Sequence, residues 1–255
     1  MLRADCKENR MTQKITKPKM ILFDYGQTLG NEKFKGVRGT EAVLKYATEN
    51  KYGLTAEQVQ AEAEVINKEL GRFDPAKRYL NTVELPNYMF TNYLYETVGI
   101  KLSLTPAEID QVFWDHAAPA TPTEGIEQFL EYLHEKGIRT GVISNITYDG
   151  EVVKNRINTL LPNNHFEFII PTSDYLFRKP NKRIFDFALQ RAELKPEDVW
   201  YIGDQYEADV KGALGAGLMP VWYQGAIDLP FTADESVLTV QSWAQLREIM
   251  DEQGI

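Results

Sequence analysis

The first clear apolar run of the chain is Met20–Phe23 (MILF), which ends on a single carboxylate, Asp24, and then turns through Tyr25, Gly26, Gln27 and Thr28. An apolar run that stops at turn residues predicts a short buried strand. From Gly125 onward, similar runs alternate with helical patterns. GIEQFLEYLHEKG places Ile126, Phe129, Leu130 and Leu133 on one helix face, and Gly137 stops it. The pattern then predicts a strand at 138–145 (IRTGVISN), a helix near 150–161, a strand at 166–170 (FEFII) and a helix near 181–193. It continues with a strand at 199–204 (VWYIGD), a helix near 206–216, a strand at 218–222 (LMPVW) and a closing helix over Ser242–Met250. Such alternation is the mark of βαβ units, so the fold class expected is α/β with a doubly wound, Rossmann-like parallel sheet.

Between about Asn31 and Ala118 the period changes. GTEAVLKYATEN, TAEQVQAEAEVINKEL, TVELPNYMFTNYLYETVG and TPAEIDQVFWDH read as successive helical stretches with no convincing strand. Thr55 and Thr105 are placed as N-caps, and Pro106 follows the second where a helix tolerates it. The expected organisation is a flexible extension at 1–18, with Met11 an alternative start, an α/β core made of 19–30 and 119–255, and an all-helical cap domain at 31–118 splitting the core. No internal repeat or low-complexity tract interrupts this plan.

Composition narrows the function classes. With 255 residues, 43% hydrophobic and 25% charged, the chain is long enough to bury a sizeable core. Its formal net charge of −9 argues against a broad nucleic-acid footprint, which needs lysines and arginines to neutralise phosphates. A small anionic substrate remains compatible, since one lysine and local dipoles override the global field. The one cysteine, Cys6, excludes an intrachain disulfide and a cysteine-based metal cluster. No apolar run reaches about 18 residues, and the first 19 residues lack an apolar signal core. No membrane partner is expected, the compartment expected is cytoplasmic, and the assembly a monomer or homodimer.

In an open parallel sheet, ligands gather beyond the carboxyl ends of the strands. The polar residues at those positions are Asp24, then Ser144 and Asn145, then Lys179 in FRKP, then Asp204 with Asp209 five residues on. Singly, each has an ordinary reading as a turn, cap or solvated residue. As an ordered set at successive strand ends they form an inventory for phosphoryl transfer: a carboxylate nucleophile, a hydroxyl, a lysine and a carboxylate pair.

FDYGQTL, GVISN, FRKP and YIGDQYEADVKGALGAG, in that order, resemble the four motifs of the haloacid dehalogenase-like hydrolase superfamily, in the type whose helical cap is inserted after the first motif. The resemblance covers about 19–30 and 121–225, and Lys179–Gly217 is its most specific part. It implies that Asp24 is the nucleophile, forming an aspartyl-phosphate intermediate. It implies magnesium on the Asp24 carboxylate, the Gly26 carbonyl and the Asp204 carboxylate, an oxygen set suited to a hard cation. Ser144, Asn145 and Lys179 would hold the phosphoryl oxygens, with Ser144 and Lys179 also counted as catalytic. Asp209 and Thr28 would steady these groups from behind. The substrate implied is a small phosphorylated or otherwise anionic metabolite.

One position departs from the family. Its phosphatases usually read DxDGT, where the second Asp is the general acid and base. That position is Gly26 here, and the usual following glycine is Gln27. A missing general acid typically costs about 10²–10⁴-fold in rate. The reading is therefore a magnesium-dependent hydrolase weakened or specialised by Gly26, acting on good leaving groups such as acyl phosphates or borrowing an acid from the cap. The alternatives are a non-catalytic phosphate-ligand or regulatory binding protein, or a phosphonate hydrolase-like enzyme. The last needs a lysine near the nucleophile, and Lys33, Lys35, Lys45 and Lys77 are candidates of equal standing. A metal-free dehalogenase fits poorly with the retained Asp204 and Asp209. In the insertion, Arg72, Lys77 and Arg78 lie near Phe73, Tyr79, Tyr88, Phe90, Tyr93 and Tyr95, which read as core aromatics beside a solvated basic face. His116 reads as a loop histidine at the start of a hinge segment, 116–124.

Overall fold

The computed structural model describes residues 16–255 except 73, 75–78, 228–231, 233 and 235. The expectations for the extension through residue 15, for Cys6 and Met11, and for Phe73, Lys77 and Arg78 lie outside the described residues.

The chain runs β1 (Met20–Phe23), β2 (Gly30–Glu32), α1 (Gly36–Leu44), β3 (Ala47–Asn50), α2 (Ala56–Glu69), α3 (Asn87–Thr97), β4 (Ile100–Leu102), α4 (Pro106–Ala117) and β5 (Ala120–Pro122). It continues with α5 (Ile126–Glu135), β6 (Arg139–Ser144), α6 (Gly150–Leu160), β7 (Phe166–Pro171), α7 (Lys182–Ala192), β8 (Val199–Gly203), α8 (Lys211–Ala216), β9 (Met219–Tyr223), β10 (Leu238–Val240) and α9 (Trp243–Glu252). Six strands form one sheet in the order β10-β9-β8-β1-β6-β7, with every pairing parallel. Counting only these six along the chain, the order is that of a doubly wound Rossmann-like sheet. The order reverses at β1, so the crevice at a switch point opens directly beyond Phe23, where Asp24 sits.

Alternation along β1 explains its central place. Ile21 and Phe23 join a cluster with α5, α6 and α9 on one face, while Met20 and Leu22 join a second cluster with α7 and α8 on the other. All four side chains are fully buried, as a parallel strand covered on both faces requires. Phe23 meets Trp243 edge-on at 5.9 Å, and Trp243 stacks on Phe129 at 5.2 Å and Tyr223 at 4.2 Å. Gly137 closes α5 with φ 67°, and Ser242 caps α9 by accepting from the Gln245 amide.

The four helices α1–α4 lie between β2 and β5 and share a smaller apolar cluster that includes Val43, Val59, Leu94, Tyr95, Val98 and Ile109. Thr55 and Thr105 each complete a capping box, and Pro106 opens α4. Two expectations for this region are corrected. β3 and β4 form an antiparallel pair inside it, so the helix read across GTEAVLKYATEN ends at Leu44. These strands are three or four residues long and largely exposed, too short to imprint alternation on the sequence. In TVELPNYMFTNYLYETVG the helix begins only after Pro86. Of the aromatics, Tyr95 and Phe90 pack into the cluster, whereas Tyr88 and Tyr93 are exposed.

β2 and β5 pair antiparallel at the point where the chain leaves and re-enters the sheet region. His116 lies on α4, its Nδ1 2.8 Å from the Val112 carbonyl oxygen, rather than in a loop. β10, unmarked in the sequence reading, adds the last strand beside β9. Among the described residues no helix is long and apolar enough to cross a membrane.

Because Trp243 ties α9 to β1, β9 and α5, Trp243→Ala should destabilise the fold by about 3–5 kcal/mol. Urea denaturation followed by circular dichroism measures this, and a loss under about 1 kcal/mol would contradict the packing described.

Candidate active site

Strand ends deliver the polar residues to one place. Asp24 follows β1, and its amide donates to the Ile202 carbonyl at 2.8 Å, holding the carboxylate over the end of the sheet. Ser144 ends β6 and is buried. Asp204 and Asp209 follow β8, and Asp209 enters through a single π-type turn at Tyr206–Val210 before α8, a widening of the kind found at functional sites. Gly203 makes the close approach possible. A Cβ there would lie 2.3 Å from Asp209 Cγ, so any side chain at 203 displaces that carboxylate.

Asp24, Ser144, Asn145, Lys179 and Asp209 line one cavity of about 90 Å³, with Tyr25, Gly26, Glu32, Ile146, Gln205 and Ala208 completing its wall. That volume holds a few waters or one small anionic group. Asp204 stands beside it. Ligand oxygens of Asp24, Asp204 and Asp209 lie within 4.8 Å of one another.

Lys179 is the centre of the arrangement. Its side chain is 1% exposed, and Nζ donates to Asp24 Oδ1 at 2.7 Å, Asp209 Oδ1 at 2.6 Å and Tyr201 Oη at 2.5 Å. Burial pulls its pKa down, but the Asp209 and Asp24 carboxylates more than offset this, so the ammonium stays charged above the ordinary lysine range. Its backbone is fixed as well. Asn145 Nδ2 donates to the Lys179 carbonyl at 2.9 Å, and the Lys179 amide donates to Asn145 Oδ1 at 2.8 Å. The Asn145 side chain thus holds the loop that carries the lysine. Tyr201 donates to the Ile143 carbonyl at 3.1 Å, and burial followed by the three nearby carboxylates raises its pKa well above the phenol value.

The carboxylates differ in what they have left to offer. Asp209 spends Oδ1 on Lys179 and accepts the Gln205 amide on Oδ2 at 2.9 Å. Burial pushes its pKa up to about 6, against the pull of Lys179. Asp204 Oδ1 is buried with no hydrogen-bond partner, and its pKa is raised well above the carboxylate range by burial and then by Asp24 and Asp209. A buried carboxylate oxygen with no partner beside a second carboxylate is costly unless a cation joins them. An all-oxygen donor set of this kind suits a hard divalent ion, with Asp24 and Asp204 supplying free oxygens and Asp209 already engaged.

At Gly26 a Cβ would meet nothing within 4 Å, so an L side chain would have open space there. Gln27 takes φ 54°, the left-handed region that favours glycine, and its Nε2 donates to the Glu32 carbonyl at 2.6 Å. Thr28 is fully buried and its Oγ1 has no partner.

Sequence reasoning passed over several residues that the structure brings to the site. Tyr25 Oη donates to Glu32 Oε1 at 2.7 Å, and Arg156 on α6 donates to the same oxygen at 2.9 Å. Arg156 also donates to Asp115 at 3.0 Å and to the Ala118 carbonyl. Nothing in a linear sequence marks Glu32 or Arg156, which are 124 positions apart. The insertion reaches the loops bearing the site residues too. Asp110 accepts the Asp149 amide at 2.8 Å, Glu84 accepts Thr172 Oγ1 at 2.9 Å and Arg178 Nη1 at 3.2 Å, and Tyr79 Oη donates to Gln205 Oε1 at 3.1 Å. Among the described residues, Lys33, Lys35, Lys45 and Arg72 do not line the cavity.

A doubly wound sheet with an acidic triad and a buried lysine at its switch point, and helices inserted after the first strand, defines an α/β hydrolase of the haloacid dehalogenase-like type. The family model described as "Haloacid dehalogenase-like hydrolase" matches residues 21–222, and the chain belongs to that family. It is 28% identical over 146 residues, 56% of its length, to haloacid dehalogenase-like hydrolase domain-containing protein 3 of Bos taurus, of which it covers 57%. It is 26% identical over 205 residues to the pyrimidine 5'-nucleotidase YjjG of Escherichia coli (strain K12), covering 79% of this chain and 84% of that one. The chain spans about half the length of the first curated relatives it matches. The solved structure of a 2-haloacid dehalogenase from Pseudomonas syringae pv. Tomato DC3000 shares the fold, with TM-score 0.63 and 21% identity, covering 92% of this chain and 99% of that one.

The raised carboxylates make a thermodynamic prediction. An acid whose pKa is higher folded than unfolded contributes stability that is full at acid pH and lost as pH rises through the folded value, about 6 for Asp209. At pH 7.5 the metal-free cluster is therefore strained by like charge. Asp204→Asn should raise the melting temperature in EDTA by about 2–6 °C. Magnesium should raise that of the wild type, do so less as the pH falls and Asp204 takes up a proton, and leave the variant unmoved. Thermal melts with and without magnesium measure all three, and a wild-type melt indifferent to divalent cations would count against the metal fit.

Proposed function

We propose that this protein is a magnesium-dependent hydrolase of a small phosphorylated metabolite, using Asp24 as its nucleophile. The observation that carries the reading is Lys179 Nζ held between Asp24 and Asp209 at the wall of a small polar cavity, beside the unpartnered Asp204 oxygen. Residues 31–118 act as a cap over a core of 19–30 and 119–255, with the β2/β5 pair as its hinge. The similarity to a pyrimidine 5'-nucleotidase supports a phosphate ester as the bond cleaved.

Asp24 attacks phosphorus, and its carboxylate becomes an aspartyl phosphate as the leaving oxygen departs. Lys179 and Ser144 hold the phosphoryl oxygens. The lysine offsets the repulsion between two anions that must come into contact. Asp24, the Gly26 carbonyl and Asp204 would hold magnesium, which when bound neutralises charge on the phosphoryl group. Asp209 keeps Lys179 charged and aimed. Thr28 backs the turn that presents Gly26. Gly26 places no acid beside the leaving oxygen, so substrates whose leaving group departs unassisted are favoured.

A steady-state panel of an acyl, an aryl and an alkyl phosphate tests this with wild type, Asp24→Asn and Gly26→Asp. Magnesium-dependent turnover should fall from acyl to alkyl and vanish in Asp24→Asn. Gly26→Asp, which enters open space, should raise alkyl phosphate turnover at least about tenfold and at most by the roughly 10²–10⁴ that a general acid supplies. Turnover that survives Asp24→Asn refutes the nucleophile. Inactivity of every variant on all three favours a phosphate-ligand binding protein.

A further inference from the structure

The cavity wall carries three carboxylates, Asp24, Asp209 and Glu32. The first two are engaged by Lys179 Nζ. Glu32 is not. It ends β2, and its Oε1 accepts from Tyr25 Oη at 2.7 Å, Arg156 Nη2 at 2.9 Å and Arg156 Nε at 3.2 Å. Its Oε2 has no hydrogen-bond partner among the described residues. The Glu32 side chain is 17% exposed, and that of Arg156 is 8% exposed, so the carboxylate is anchored on one oxygen while its other remains accessible. Glu32 shares the cavity with Gly26, where the side chain is missing and the space beside it is open. His116, the other proton carrier considered from sequence, does not line this cavity.

We infer that Glu32 is the general base of the second half-reaction, activating the water that hydrolyses the phosphorylated Asp24. This rests on the reading of Asp24 as a phosphoryl acceptor. Glu32 Oε2 takes a proton from water as the water oxygen bonds to phosphorus. The bond from phosphorus to the Asp24 oxygen breaks, its electron pair returns to the Asp24 carboxylate, and inorganic phosphate leaves. Glu32 then gives the proton to solvent. Tyr25 and Arg156 fix the carboxylate by its other oxygen, and the Gln27 side chain fixes the Glu32 main chain through its carbonyl. Asp115 shares Arg156 from α4, so this base is held from the sheet, from α6 and from the insertion together.

Acid-quench trapping of phosphoenzyme from acetyl phosphate and p-nitrophenyl phosphate, alongside steady-state rates, tests the assignment. Glu32→Gln should phosphorylate Asp24 at a rate close to wild type, then accumulate the phosphoenzyme and lose about 10²-fold in kcat. Adding Gly26→Asp to Glu32→Gln should raise kcat by at least about tenfold more than the same substitution raises it in wild type, an excess that a purely structural role for Glu32 would not give. If Glu32→Gln melts below the assay temperature, Glu32→Asp keeps the charge facing Arg156 and draws the carboxylate back, and the same accumulation is expected. Equal kcat and no accumulation in a folded variant overturn the base while leaving Asp24 as nucleophile. Acid-stable phosphoenzyme in neither wild type nor variant overturns both readings.

Discussion

The buried ammonium of Lys179 is the interaction on which the rest of this site depends. Three carboxylates converge where the strand order reverses, and like charges in a buried site repel strongly. One lysine, 1% exposed and bonded to Asp24, Asp209 and Tyr201, makes that convergence tolerable. Its loop is pinned by Asn145 and by the contacts of the insertion with Arg178 and Thr172. Removing one partner from such a buried group is costly because the remaining charges are left uncompensated. The geometry is therefore over-determined by the elements around it.

The compensation is incomplete. Asp204 keeps a buried oxygen without a partner, and Asp209 and Asp204 both titrate above the usual carboxylate range. Stability is given up in the metal-free protein at a place where a cation would recover it, the pattern expected of a site shaped for binding. Gly26 and Gln27 show a related economy on the other wall. The turn keeps the left-handed backbone at 27 without a glycine, offset by the bond from Gln27 to the Glu32 carbonyl, and keeps open space at 26. The cavity thus has its charge-balancing groups in place, while its wall at Gly26 offers open space and no side chain.

The chain's own order of residues determined the α/β class, the sheet strands β1, β6, β7, β8 and β9, the helices flanking them, the two capping boxes and the identity of the polar residues at the strand ends. These are local signals: runs of buried apolar residues, helical spacing, and cap or turn chemistry within a few positions. β2, β3, β4 and β10 were illegible because strands of three or four partly exposed residues carry no period, and pairing with a distant partner creates them. Only the tertiary structure decided that Lys179 reaches both Asp24 and Asp209, 155 and 30 positions away. It alone left Asp204 unpartnered, turned Asn145 toward the lysine backbone and set Glu32 against Arg156 at the cavity wall. The physical reason is that bonding and desolvation of a polar group depend on which distant segments surround it, and spacing along the chain does not encode that enclosure.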